Sequence, residues 1–447
     1  MNVPSLARTA VAYVLMVGTT VALFLFITSF GRDLQAPSRT VAAALPAGVE
    51  GSNVLLHLLL ALAGVIVAGQ LLGRLLALVG QPPVIGEVAA GILLGPSLIG
   101  SEASAVILPP AVAPFLGVLA QLGIILYMFL VGLDLHLDEL RRRAHLTVAT
   151  SHASILLPFM LGTALALVLY PRVSFADVPF MTFALFMGVA MSITAFPVLA
   201  RLLDDWNLTQ TELGRVALSC AAVDDVTAWC LLAFVVGIVK AEPGEGIRVA
   251  IGAVAYIAVM LFVARPLLRR YAPRWDSGST YPVAALLVAL LASAAATEAI
   301  GIHAIFGAFV LGAVVPPESP VARALGRQMR DLVTILLLPA FFAFTGMRTR
   351  IDLLSGAADW ILCLLIIAVA TAGKFGGTFV AARLSGMRPR DAAMLGALMN
   401  TRGLMELIVL NIGLELGVIS PPVFAMMVLM ALATTMSTAP MLAWLKR

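Results

Sequence analysis

Two adjacent carboxylates, Asp224 and Asp225, sit in the stretch SCAAVDDVTAWCLLAFVV, part-way along an apolar run from about Val216 to Val239. An ionisable group at membrane depth costs roughly 2.5–3.5 kcal/mol on insertion scales, so two of them in such a run point to the handling of a charged species. The plain alternative is a buried ion pair that only fixes helix packing. Lys374, one of three lysines in the chain, lies in AVATAGKFGGTFVAARL near the middle of another apolar run. A deeply placed ammonium needs a partner, and an aspartate on another helix is the natural one. Its distance from both ends of the run argues against snorkelling to an interface. We expect Lys374 to pair with Asp224 in at least one state. Neighbouring helical residues point about 100° apart, so both aspartates cannot face one lysine. Asp225 is assigned to an aqueous cavity, where it holds a cation or a proton but not both.

Two other apolar runs carry breaks. MSITAFPVLARLL contains Ser192, Thr194 and Pro197, and MNTRGLMELIVLNIG contains Asn400, Thr401, Arg402, Gly403 and Glu406. Proline removes a backbone hydrogen bond, and the residue before it resists helical geometry. Carbonyls and half-helix ends freed in this way coordinate ions where they line a cavity. For Pro197 alone a simple kink competes with this reading. The two runs lie seven spans apart and therefore cross the membrane in opposite directions, as the broken helices of an inverted repeat do. Arg402 and Glu406, at i and i+4, can neutralise one another along one helix face. Glu87, in QPPVIGEVAAGILLGP, is either solvated near a cytoplasmic end or placed along an ion path. His303, beside Glu298 near an external turn, is either a hydrogen-bonded structural histidine or a pH sensor.

The elements that must position these residues are membrane helices. Of the 447 residues 61% are hydrophobic and 12% charged, about half the charge content of a soluble domain. Fourteen runs approach the roughly 20 residues needed to span hydrocarbon: 10–30, 54–78, 84–100, 112–133, 146–170, 178–203, 212–239, 246–270, 281–300, 302–316, 330–347, 358–384, 390–414 and 422–445. The first exceeds a signal-peptide core and has no A-x-A site after it, so a retained helix is expected. Most loop Lys and Arg, including Arg8, Arg74, Arg141 to Arg143, Arg265, Arg269, Arg323 and Arg327, fall on the side of the amino terminus. That bias places both termini in the cytoplasm of a multi-pass protein of the cell (inner) membrane. The net charge of +4 reflects those loops and gives no reason to invoke nucleic acid. Cys220, Cys230 and Cys363 lie inside spans without ligand spacing, so neither a bound cofactor nor a disulfide is expected.

LGRLLALVGQPPVIGEVAAGILLGPSLIG, LGIILYMFLVGLDL, SITAFPVLARLL, AAVDDVTAW, GIHAIFGAFVLG, TAGKFGG and NTRGLMELIVLNIG together resemble the monovalent cation/proton antiporters over about residues 54–445. The similarity is greatest to the branch of Kef-type potassium transporters and plant cation/H+ exchangers. The resemblance implies an all-α polytopic membrane protein with an NhaA-like antiporter fold: a 13-helix inverted repeat with two broken crossing helices, usually a homodimer. Residues 1–50 then form an extra helix and external loop, and 51–447 the antiporter domain. Scaffold helices fall at 54–133 and 281–347, a linker at 246–270, and the mobile ion-binding core at 146–239 and 358–445. The resemblance makes Asp225 the ion-binding residue for an alkali cation, Asp224 and Lys374 the salt-bridge pair, Thr194 the broken-helix threonine and Glu87 the acidic position of the first core helices. Asp224 stands where plant exchangers usually carry Asn and Kef proteins Gln. An Asp-Asp-Lys set is similar instead to the electrogenic sodium/proton antiporters, with more than one proton per cation. No regulatory domain is expected after the last span, unlike in Kef proteins.

The expected activity is exchange of Na+ or K+ for H+ by alternating access. A sodium-coupled solute carrier or a potassium efflux pathway on the same fold is the alternative, and a sensor that has lost transport a further one. An intramembrane aspartyl protease is disfavoured because its two carboxylates must converge on one water from separate helices, and the chain has no GxGD motif.

Overall fold

Hydrocarbon offers a backbone no water to bond, so each apolar run satisfies its own amides as a helix. The computed structural model describes residues 6–38, 54–107, 109–134, 144–240, 246–271, 280–316 and 319–446, and every regular element among them is helical. The first half comprises α1 (Leu6–Phe30), α2 (Val54–Leu78), α3 (Pro83–Leu94), α4 (Pro96–Ile107), α5 (Ala113–Asp134), α6 (Ala144–Val173), α7 (Phe180–Ser192), α8 (Phe196–Asp205) and α9 (Glu212–Lys240). α10 (Gly246–Val259) continues through a π-helical turn into α11 (Arg265–Tyr271). Then come α12 (Thr280–Ile300), α13 (Ala304–Val314) and α14 (Pro320–Leu332), which continues through a second π turn into α15 (Leu338–Arg348). α16 (Ala357–Leu384), α17 (Pro389–Met399), α18 (Leu404–Glu415) and α19 (Pro421–Lys446) complete the chain.

Nine described helical stretches are long and apolar enough to cross a membrane, ten when α17 and α18 count as one bent span. The expected span 10–30 lies within α1, while 84–100, 178–203 and 302–316 fall on shorter apolar helices, Pro83–Leu94, Phe180–Ser192 and Ala304–Val314. Fourteen full-length spans are thus not confirmed among the described residues, and where the helices are shorter the chain breaks locally. Gly95 is extended between α3 and α4, and Pro197 follows the break after α7. A turn at Gly301–His303 and the extended Val315 bound α13. The span expected at 330–347 starts earlier, at Pro320. Ser319 caps that helix by accepting the Ala322 amide, and proline suits the first turn. Arg141 to Arg143, the expected topology signal, lie outside the described residues, as does most of the chain between α1 and α2.

Pairwise packing falls into two sets. α5 packs on α13 and α15, α3 on α2 and α15, and α12 on α13. α6 packs on α7, α9 and α16, while α16 also packs on α17 and α19. Small residues make the closest crossings, as in membrane bundles generally. A Cβ on Gly346 of α15 would overlap the Gly91 backbone of α3, and one on Gly312 of α13 would overlap the Phe129 carbonyl of α5. α1 packs on α6 and α7: Phe24 meets Phe159 at 5.9 Å between ring centroids, Gly31 lies against the Phe180 ring, and the Ala176 amide donates to the Pro37 carbonyl at 2.9 Å.

Candidate ion-binding site

The two broken runs meet. α7 ends at Ser192 with Ile193 extended (φ −71°, ψ 139°), and α8 resumes at Phe196. Pro197 falls in the first turn of α8, the one place in a helix where its missing N–H costs nothing. α17 ends at Met399, residues 400–403 are unwound, and α18 starts at Leu404 with a bend of 44°. The unwound segments bond directly: the Ala195 amide donates to the Thr401 carbonyl at 3.0 Å, and Thr194 Oγ1 to the Met399 carbonyl at 3.3 Å.

Each break strands backbone carbonyls where no water reaches them, and two buried cations satisfy those of α7. Arg402 donates from Nη1 to the Ala190 carbonyl at 3.0 Å and from Nη2 to the Met191 carbonyl at 2.7 Å. Lys374 donates to the Ser192 carbonyl at 2.6 Å. Positive charge also suits the negative end of a helix dipole. Glu406 neutralises Arg402 at 2.7 Å, and both side chains are fully buried. The second break is held from α19, where Thr435 Oγ1 accepts the Arg402 amide at 2.8 Å and donates to the Arg402 carbonyl at 2.6 Å.

Asp224 is saturated. Its carboxylate receives Lys374 Nζ at 2.8 Å, Ser151 Oγ at 2.5 Å, Ser154 Oγ at 2.9 Å and Thr194 Oγ1 at 3.0 Å. Lys374 spends its other two protons on the carbonyls of Ser154 (3.1 Å) and Ser192. Asp225 differs. It is 4% exposed and so does not open onto a water-filled cavity here. The Phe196 backbone at the start of α8 bonds it, and its Oδ1 is buried without a hydrogen-bond partner. The Asn400 amide, at the second break, is likewise buried with neither end bonded.

The remaining expected residues divide. Thr194, Thr401, Arg402 and Glu406 come together around the breaks. Ser192 joins through its carbonyl, because its hydroxyl is turned away to the carbonyls of Gly188 (2.7 Å) and Ile155 (3.0 Å). Glu87 packs against Gly69 of α2, and among the described residues no hydrogen bond or ion pair links it to the aspartates. His303 caps α13: at φ 78° its Nδ1 accepts the Ile305 amide at 3.5 Å, beside Glu298, which accepts the Ala304 amide at 2.8 Å. Ser151 and Ser154 were missed by sequence reasoning. Their spacing of three on one face of α6 was a visible signal, but serines in membrane helices more often bond their own backbone. No cluster of three or more His, Cys, Asp or Glu suited to a metal ion occurs among the described residues. Hydroxyls, carbonyls and single carboxylates are the hard oxygen donors that suit alkali cations instead.

A family model described as "Sodium/hydrogen exchanger, transmembrane" matches residues 58–444. The chain is similar to the Na(+)/H(+) antiporter NhaS4 of Synechocystis sp., 43% identical over 399 residues that cover 87% of this chain and 97% of the relative. It is 41% identical to cation/H(+) antiporter 17 of Arabidopsis thaliana over 88% of this chain and 49% of the relative. To K(+)/H(+) antiporter 1 of Saccharomyces cerevisiae it is 33% identical over 81% and 43%. The chain thus spans about half the length of these plant and yeast relatives. The structure of the sodium proton antiporter MjNhaP1 from Methanocaldococcus jannaschii shares the fold, with a TM-score of 0.62 at 15% identity over 88% of this chain and 97% of that one. With its apolar helices, crossed breaks and buried Asp-Lys pair, this chain belongs to the sodium/hydrogen exchanger family of membrane cation/proton antiporters.

Proposed function

We propose that this protein exchanges Na+ or K+ for H+ by alternating access, with Asp225 taking cation and proton in turn. One observation carries the reading: Asp225 keeps a buried carboxylate oxygen without a partner, while Asp224 beside it is fully bonded. A buried carboxylate without its own counter-charge reaches neutrality by binding a proton or a cation, and one vacancy serves one at a time. The N-terminal end of α8 and the free carboxamide of Asn400 supply polar surroundings without a competing ion.

Stoichiometry turns on Lys374. A cation seated at Asp225 lies close to that ammonium, and their repulsion in a low-dielectric site expels one of the two charges. Release of the Lys374 proton as the cation arrives moves a second proton per cycle and makes the exchange electrogenic. The two packing sets support a mobile core of 146–239 and 358–445 against a scaffold of 54–133 and 281–347. The linker is 246–270, which overlaps the scarcely buried stretch Ile251–Tyr271. The opposed breaks belong to an inverted repeat in this reading. The protein is taken as a homodimer in the cell membrane with both termini cytoplasmic, on the loop-charge bias and the family resemblance.

The test uses purified protein in sealed liposomes under an imposed pH gradient, with Na+, K+ and Li+ added in turn. Cation-dependent collapse of the gradient, lost in Asp225→Asn, is expected. Collapse that is identical with and without alkali cation, or unchanged in Asp225→Asn, overturns the proposal.

A further inference from the structure

Asn400 is the one buried carboxamide among the described residues with both ends unbonded. It follows the last turn of α17 at φ −81° and ψ 0°, where only its backbone N–H bonds, to the carbonyls of Ala397 and Leu398. Asn411 on α18 shows the ordinary fate of such a group. Its Nδ2 donates to Thr345 Oγ1 at 2.8 Å and to the Leu407 carbonyl at 2.9 Å, and its Oδ1 accepts Arg348 Nη1 at 3.4 Å. Arg402 Nε and Glu406 Oε1 also lack partners, but they belong to side chains already paired with each other. An unbonded buried amide costs stability that an apolar side chain of similar shape does not.

The crossing of the two breaks fixes where Asn400 stands. Met399 before it accepts the Thr194 hydroxyl at 3.3 Å, and Thr401 after it accepts the Ala195 amide at 3.0 Å. Phe196, next after Ala195, is the residue whose backbone bonds Asp225. Asp225 Oδ1 and the Asn400 carboxamide, both unmet, thus belong to elements tied together by these three bonds.

We propose that Asn400 Oδ1 is a ligand for the alkali cation beside Asp225, and that it serves the cation and not the proton. The inference rests on the exchange reading above. A proton is satisfied by one oxygen, so protonating Asp225 calls on no second side chain. An alkali cation needs several hard oxygen donors, and a carboxamide adds one without adding charge.

Initial rates in sealed liposomes under a pH gradient, with Na+, K+ and Li+ varied in turn, give KM and kcat for the parent, Asn400→Leu, Asn400→Ser and Asp225→Asn. Asn400→Leu should raise KM at least tenfold for the parent's preferred cation, with kcat changing far less. Asn400→Ser, which keeps a neutral oxygen, should recover part of that loss. In detergent with choline as the only salt cation, Asn400→Leu should melt at or above the parent's Tm, since no bond is lost. Adding the preferred cation should raise Tm in the parent and not in Asn400→Leu. A parent-like KM and cation shift in Asn400→Leu overturn the inference, as does a lowered cation-free Tm with parent KM, the pattern of a packing residue. Exchange retained in Asp225→Asn overturns the exchange reading instead, so the two failures are distinguishable.

Discussion

The Lys374 ammonium lies 2.8 Å from an Asp224 carboxylate oxygen, with neither side chain exposed to solvent. Five further groups complete the contact: the hydroxyls of Ser151, Ser154 and Thr194, and the carbonyls of Ser154 and Ser192. The pair is thus a junction of four elements, α6, α9, α16 and the end of α7. Removing either charge strands the other. Lys374→Met is expected to cost about 3–5 kcal/mol, and Asp224→Asn/Lys374→Met to recover most of it. Thermal unfolding in detergent decides this, and a double variant no more stable than Lys374→Met counts against a stability role for the pair.

Ser151 and Ser154 each offer a hydroxyl to a charged acceptor, an interaction worth about 1.5–3 kcal/mol when buried. Ser151→Ala and Ser154→Ala should each lower stability by that order, because the Asp224 charge is then less well held. Variants with the parent's Tm would remove these serines from the site.

Arg402, in the unwound break, spans two carbonyls of α7 and Glu406 of α18, which needs the planar fork of a guanidinium. Arg402→Lys should therefore lose exchange activity almost as fully as Arg402→Ala. Both are expected to lower Tm. Full activity in Arg402→Lys would show that charge alone suffices at the break.

Arg348 of α15 donates to Glu415 at the end of α18 at 2.9 Å, and its guanidinium lies 4.0 Å from the Phe344 ring centroid. α18 packs on α19 and α7, so this ion pair joins the two packing sets, and both side chains are roughly one-third exposed. An exposed pair contributes under about 1 kcal/mol, so Glu415→Gln should scarcely change Tm. If the sets move against one another during exchange, the substitution should raise turnover severalfold by freeing that boundary. Turnover equal to the parent's, measured under the same gradient, would place this pair outside the moving surface.

Gly91 and Gly346 bring α3 and α15 into backbone contact. Gly346→Ala inserts a methyl where none fits and is expected to cost about 1–3 kcal/mol. An unchanged Tm would mean that the two helices are less tightly crossed than the structure has them.

How much of this was legible beforehand depends on how local each determinant is. A carboxylate or ammonium at membrane depth is conspicuous in a chain, because hydrocarbon penalises charge wherever the helix lies, and so Asp224, Asp225 and Lys374 stood out. The breaks at Thr194–Pro197 and Asn400–Gly403 were equally visible, since proline and glycine act on their own turn of backbone. Span lengths were less so: α3 ends and α13 starts at turns around Gly95 and Gly301, and single glycines recur through the apolar runs without breaking them.

The sequence by itself determined that the chain is a bundle of apolar helices, that ionisable groups lie at their centres, and that two runs are interrupted, because these follow from composition and nearest-neighbour sterics. Only the tertiary structure decided that Asp224 is bonded on every side while Asp225 keeps an oxygen free, and that Arg402 and Lys374 cap α7. It also turned the Ser192 hydroxyl away from the site. Those outcomes depend on which atoms of helices distant in the chain arrive within 3 Å of one another, a property of the packed bundle and of no segment alone.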